Sequence, residues 1–365
     1  MIPMNDLTRQ YQSIKSEIDN TISRVIEECS FISGPYVKKF EQEFGKMFEF
    51  GAVVACANGT DALEIAIQAL KGHNVKGSVI VSAHSWISSA SCIINNGLEP
   101  IFCDLSPDGY NLDAGLLEGL IREDTIGIIA VHLYGHPCEM DKIVEIANRR
   151  ELWVIEDCAQ AHLATYKDKL VGTYGDLATF SFYPGKNLGG FGDAGCIAGR
   201  SGEIMTHCRM IANHGGLKKH SHELVGRNSR MDGLQGAILR VKLNHIKSWT
   251  KKRREIAEKY ISKIDNEAVY LPKILENTSP AWHLFTVRTK NRTQFREYLN
   301  YNGVASAISY PVSLSSIPCL NIQKSSSNCE ISSKLENEIC SIPIFPEMTF
   351  CEVEHIIKVI NEYVA

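Results

Sequence analysis

The sequence has no apolar run approaching the roughly 20 residues that cross a bilayer, so a helical membrane protein is not expected. Its first residues lack the basic, apolar and small-residue pattern of a secretion signal, which points to the cytoplasm. The twelve cysteines form no C-x-x-C pair and keep no metal-site spacing with histidine. A disulfide framework and a zinc module are therefore not expected, no metal is predicted, and free thiols in a reducing compartment fit better. Neither sign of charge dominates: a net charge of −4 gives no reason to expect nucleic acid or a membrane as partner. Internal repeats are lacking too. Two phosphate motifs are only half present. Gly190-Phe191-Gly192-Asp193-Ala194-Gly195 spells G-x-G-x-x-G, but it leads into the apolar run 196–198 and not into a helix, so the dinucleotide reading fails. Gly185-Lys186 lacks the earlier glycine of a P-loop.

What is present is ordinary for a globular protein, with 44% hydrophobic and 22% charged residues. A chain of 365 residues exceeds one typical domain, which predicts one large domain and a smaller one. Leu7, Tyr11, Ile14, Ile18, Ile22 and Val25 share one helical stripe over 6–28. Ser33-Gly34-Pro35 breaks that helix, and a second follows through Phe48. Apolar runs at 52–56, 78–81, 99–104, 126–132, 152–156 and 177–182 read as strands, with helices after Asn58, up to Asn95, at 112–122 and at 140–149. This alternation with short connections predicts an α/β fold: a mostly parallel sheet covered by helices on both faces. Met231, Leu234, Ile238, Val241, Ile246 and Trp249 mark one long helix, with Lys251-Lys252-Arg253-Arg254 as a solvated face of its continuation. The domain boundary is placed near 248, giving domains 1–247 and 248–365. The second is a small α+β unit, with strands at 284–288 and 305–308 and helices at 293–301 and 350–363. The Ser/Asn-rich 325–328 reads as an exposed loop.

Two stretches carry chemistry. In Val154-Ile155-Glu156-Asp157-Cys158-Ala159-Gln160-Ala161-His162, an acid and an amide stand where an apolar run ends, and strand ends in α/β proteins face the ligand crevice. In Ser181-Phe182-Tyr183-Pro184-Gly185-Lys186-Asn187, a lysine sits in a tight glycine turn between apolar segments. Partial desolvation there lowers an amine's pKa and makes it a nucleophile. A lysine able to form a Schiff base and an acid able to pair with a pyridinium nitrogen are the minimal equipment of a pyridoxal phosphate site. Taken singly, Asp157 also reads as a helix cap and Lys186 as a surface residue. Asn58-Gly59-Thr60-Asp61 opens a helix, where free N–H groups and the dipole suit a phosphate; a plain cap by Thr60 or Asp61 is the other reading.

Taken together, ANGTDAL (57–63), HSW (84–86), VIEDCAQAH (154–162), GDLATFSFYPGKNLGGFGDAG (175–195), GRNSRMDGLQGAIL (226–239) and SIPIFPEMT (341–349) resemble the sugar-nucleotide aminotransferases of the DegT/DnrJ/StrS family, fold type I pyridoxal phosphate enzymes. The resemblance runs almost from end to end. It implies that Lys186 holds the cofactor covalently and, once displaced, moves the proton. It implies that Asp157 keeps the pyridine nitrogen protonated, that Gln160 bonds the phenolic oxygen, and that Trp86 stacks on the ring. Ser181 would bind the phosphate with the backbone of Gly59, Thr60 and Asp61, and Asn228 would reach it from the partner of a homodimer. His162, Arg230 and Tyr310 are candidate substrate contacts. The reaction implied moves the amino group of L-glutamate to a UDP- or dTDP-linked keto-hexose, the Gly-x-Asn-Ser-Arg form at 226–230 favouring carbon 3. Relatives with histidine in place of the lysine are dehydratases; Lys186 favours transamination. The segment 309–315 departs from the family, many members of which carry a histidine at the position of Ser309 or of Ser315, which concerns sugar recognition. A sugar dehydratase or epimerase, or a regulatory protein that kept the fold, are the alternatives.

Overall fold

A computed structural model describes residues 1–72, 75–200, 202–218, 220–320 and 329–365. The expected loop at 325–328 lies outside the described residues. Seven strands, Ala52–Cys56, Ser78–Ser82, Glu99–Cys103, Thr125–Val131, Trp153–Asp157, Leu177–Ser181 and Gly195–Gly199, form the central sheet. Numbered one to seven along the chain, they lie in the order 1-7-6-5-4-2-3. All neighbours run parallel except at Gly195–Gly199, which is antiparallel to both flanking strands. The formal G-x-G-x-x-G therefore ends in this strand, where a dinucleotide site needs a helix.

Alternate residues feed two cores, because strand side chains point to opposite faces. Ile128, Val154, Ala178 and Phe180 face a cluster with Phe40, Phe44 and Phe48 of the Gly34–Phe48 helix. Val81, Ile129, Ile155 and Leu177 face the other, with Leu63 and Ile67 of Gly59–Lys71 and Met205 and Cys208 of Glu203–Ala212. Helices thus cover both faces, which is the α/β arrangement expected.

Beyond the sheet, Phe285–Arg288 pairs antiparallel with Ile339–Ile342. A third cluster surrounds this ribbon, with Phe295 of Arg292–Tyr301 and Ile356 and Ile360 of Phe350–Asn361. The Ile246–Lys263 helix spans the boundary placed at 248. Its Trp249 packs with Ile14, Ile18 and Ile238, while its Ile256 and Tyr260 belong to the third cluster.

Several boundaries differ from expectation. The long helix is two, Gly233–Leu243 and Ile246–Lys263, and the 6–28 stripe breaks at Ile14 into Leu7–Ser13 and Lys15–Glu27. The helix at 112–122 shrinks to a 3-10 turn, Ala114–Leu116, and one turn, Leu117–Leu120. Gly115 and Gly119 weaken it, and Asp113 caps early by accepting from the Gly115 N–H at 2.8 Å. The stretch 305–308 forms no strand; only Ala307 bridges Ser341. The helices Glu203–Ala212 and Glu330–Glu338 were not anticipated. In the basic run, Lys251 and Lys252 are exposed as expected, but Arg253 is 3% exposed and donates to the carbonyls of Trp282 (3.1 Å) and Ile344 (2.7 Å).

Candidate active site

Asp157 ends the Trp153–Asp157 strand and is buried. Its Oδ1 accepts from the Ala159 N–H at 3.1 Å and its Oδ2 from the Ser89 hydroxyl at 3.1 Å, which in turn lies 2.9 Å from the Ser85 hydroxyl. Burial pushes its pKa up, while the backbone bond and the nearby Lys186 charge pull it back. Lys186 lies five residues past the end of the adjacent strand, Leu177–Ser181, in a turn closed by its own N–H to the Tyr183 carbonyl at 2.8 Å. The residue is half-buried, but its amine end is desolvated, which pushes its pKa down to about 8 against the opposing pull of Asp157. Among the described residues its amine makes no hydrogen bond. An acid and a nucleophilic amine, far apart in sequence terms for a local motif, thus meet at neighbouring strand ends.

The cradle for an anion lies beside them. Gly59 opens the Gly59–Lys71 helix against Ser181, and a Cβ on Gly59 would come within 2.7 Å of the Ser181 Cβ. At Gly195 a Cβ would come within 2.4 Å of the Asn58 carbonyl. Only glycine permits this approach. The helix cap is Asn58, not Thr60 or Asp61: its Oδ1 accepts from the Asp61 N–H at 2.8 Å. The Asp61 N–H is therefore taken, leaving those of Gly59 and Thr60 as orphan first-turn donors. The Thr60 hydroxyl bonds Ser88 at 2.7 Å, and Ser181 Oγ accepts from the Tyr183 N–H at 3.3 Å, which leaves the serine proton to donate outward.

Gln160 is buried, its Oε1 accepting from the Tyr134 N–H at 2.7 Å and its Nε2 donating to the Tyr310 hydroxyl at 2.9 Å. One amide hydrogen remains for a ligand. Tyr310 comes from the C-terminal portion and faces Trp86 at 5.4 Å between ring centroids, the indole being 55% exposed. The Tyr310 N–H donates to His84 Nε2 at 3.3 Å; burial pushes that imidazole down to about 4, so it stays neutral.

The remaining candidates are less uniform. His162 has no exposed surface: it packs on Phe180 and Phe182 with both ring nitrogens unpartnered among the described residues, so the ring lies in the core and not at an open face. Arg230 keeps a buried Nε without a partner among the described residues, whereas Arg227 pairs with Glu64. Asn228 is exposed and bridges Asn213. Ser89, Tyr134 and His283 brace this region and stand in no distinctive local pattern, while Asn187 stands in the quoted lysine turn without a role read for it.

One cluster has the composition of a metal centre: His132, Glu156 and Cys158. Its donors are already used. Glu156 accepts from the N–H groups of Gly172, Tyr174 and Gly175, each at 2.7 Å, and from His132 Nε2 at 3.0 Å. His132 Nδ1 accepts from Cys138 N–H at 3.0 Å, which fixes the ring proton on Nε2. Burial pushes the Cys158 thiol far from ionising.

The chain is similar to known transaminases over nearly its whole length. A dTDP-3-amino-3,6-dideoxy-alpha-D-galactopyranose transaminase of Aneurinibacillus thermoaerophilus is 38% identical over 100% of this chain and 99% of its own. A dTDP-3-amino-3,4,6-trideoxy-alpha-D-glucose transaminase of Streptomyces venezuelae is 35% identical over 99% of this chain and 96% of its own. The crystal structure of S. venezuelae DesV superposes with a TM-score of 0.96 at 35% identity, covering 100% of this chain and 99% of that one. Bacillus subtilis NtdA with bound cofactor PMP gives a TM-score of 0.90 at 29% identity, covering 98% and 84%. With residues 12–361 matching its pattern, the chain belongs to the DegT/DnrJ/EryC1/StrS aminotransferase family.

Proposed function

We propose that this protein uses pyridoxal phosphate to move the amino group of L-glutamate to the carbon 3 keto group of a UDP- or dTDP-linked hexose. The observation that carries the cofactor chemistry is the desolvated Lys186 amine, without a hydrogen bond among the described residues, close enough to the buried Asp157 carboxylate for each to shift the other's pKa. The residues fit the cofactor: Gly59, Thr60 and Ser181 offer donors for its phosphate, Asp157 a carboxylate for its ring nitrogen, and Gln160 a spare hydrogen for its phenolic oxygen. When bound, the cofactor supplies the electron sink. Lys186 binds it and then holds and moves the proton at Nζ. A pKa of about 8 leaves roughly a tenth of that amine neutral at pH 7. Trp86 and Tyr310 lie side by side, and the exposed Trp86 would offer a face for the cofactor ring to stack on. Arg230, which is only half-buried, is kept as the contact for an acidic group of substrate; His162, enclosed in the core, is left out of the substrate contacts.

The names of the relatives support carbon 3, and an amino sugar for a cell-surface polysaccharide such as O-antigen is the product we infer. A homodimer completes each site through Asn228. The all-free state of the twelve cysteines, nine of them buried, supports a cytoplasmic location. The large domain is taken as 1–247 and the small one as 248–365. The test incubates the enzyme with glutamate and a panel of UDP- and dTDP-linked 3-keto and 4-keto hexoses, read by mass. Amination of 3-keto sugars is expected, and conversion of 4-keto sugars alone overturns the assignment. Lys186→Ala should abolish the near-visible band of the loaded enzyme; an unchanged spectrum refutes Lys186.

A further inference from the structure

We propose that the Asn187–His283 pair is a positioning device that holds the Lys186 turn against the loop carrying Gln160. The proposal rests on the reading of Lys186 as the amine that binds the cofactor. Asn187 follows Lys186 directly and is buried. Both ends of its amide are used by one segment of the C-terminal portion: Nδ2 donates to the Ala281 carbonyl at 2.9 Å, and Oδ1 lies 3.2 Å from His283 Nδ1. Because the first bond assigns Oδ1 as acceptor, His283 must carry its proton on Nδ1. The same segment is tied to the Gln160 side of the cleft. The Ala281 N–H donates to the Gly135 carbonyl and the His283 N–H to the Tyr134 carbonyl, both at 2.9 Å. Tyr134 in turn donates its own N–H to Gln160.

This 281–283 strap is anchored a second time, because the Arg253 guanidinium donates to the Trp282 carbonyl at 3.1 Å and to the Ile344 carbonyl at 2.7 Å. Space is equally fixed: a Cβ on Gly135 would meet the Trp282 nitrogen at 2.9 Å. Burial and the nearby Lys186 charge both push the His283 ring down, so it stays a neutral donor to Asn187. A neutral ring places no second cation beside the amine. The strap thus sets where the amine stands relative to the cofactor's aldehyde, while the phosphate and the ring nitrogen are held by other elements.

The experiment separates capture from binding. The cofactor-free protein is mixed with pyridoxal phosphate, and covalent capture is followed by absorbance. Cofactor affinity without the covalent bond is measured in a Lys186→Ala background. His283→Ala should slow capture about tenfold, the value of one buried hydrogen bond, and Asn187→Ala, which loses two, at least as much; both should leave affinity in the Lys186→Ala background unchanged. The double variant should be no slower than Asn187→Ala alone. His283→Asn, which keeps a donor near the Nδ1 position, should restore most of the rate and guards against a misfolded alanine variant. Unchanged capture rates, additive losses, or an equal fall in affinity without Lys186 would each overturn the positioning role. Capture that persists in Lys186→Ala itself would instead sink the assignment of Lys186.

Discussion

Glu156 and Asp157 are neighbouring acids on one strand, buried to nearly the same degree, at 0% and 6% exposure. They point to opposite faces of the sheet and meet opposite environments. Glu156 receives three backbone N–H groups and one imidazole N–H, which fills the acceptor capacity of a carboxylate. It ties the 172–175 turn to the sheet and has nothing left for a ligand. Asp157 receives two donors, feels a lysine without a direct bond to it, and is held in a state that burial disfavours. A saturated buried acid stabilises a fold, whereas an undersaturated one facing a cleft is poised to bind a cation. The difference is in the partners, not in the depth.

The contrast is open to attack at four points, taken from the largest effect down. Asp157→Asn should lower turnover by about 1000-fold, as loss of a preorganised charge does, while thermal stability at pH 7 holds or rises. The sign follows from the raised folded pKa of Asp157. That ionised group costs stability as pH rises above its unfolded value, so the amide removes a cost at neutral pH and gains nothing in strong acid. Glu156→Gln should do the reverse. Unfolding free energy should fall by about 3 kcal/mol, since an amide presents hydrogens to backbone N–H groups, while cofactor binding by the folded fraction persists. A catalytic collapse in the stable Glu156→Gln protein would erase the distinction. Capture of pyridoxal phosphate should rise about tenfold per pH unit and level off near pH 8, because the neutral amine is the nucleophile. A rise that continues toward the ordinary lysine value of 10.5 would mean that Lys186 is not desolvated. Ser89→Ala should weaken kcat/KM by only about 3- to 10-fold, as one hydroxyl bond to a carboxylate is lost; a null effect would make Asp157 independent of its serine partner.

Much of this was legible in the chain. Strand ends at Asp157 and Ser181 follow from apolar runs that stop at polar residues, and both runs became strands within a residue of expectation. Lys186 was visible because a glycine turn and a nucleophile coincide. What stayed hidden lies in contacts that residue type alone does not reveal, one a cap three residues away and the others between segments remote in sequence. Asp61 reads as a phosphate donor until the Asn58 cap takes its N–H. His162 reads as a ligand-facing residue until Phe48, Phe180 and Phe182 enclose it. Arg253 reads as part of a solvated basic run, yet it holds backbone carbonyls in the core.

Periodicity and residue type alone settled the α/β class, the strand that presents an acid and the turn that presents an amine. Those depend on local polarity, which a linear string records in full. Only folding in three dimensions decided which of two adjacent acids is spent on the scaffold, which lysine end is stripped of water and which histidine braces the cleft. Those outcomes depend on distances between segments some 100 residues apart, such as Asn187 and His283, and no local pattern encodes such a distance.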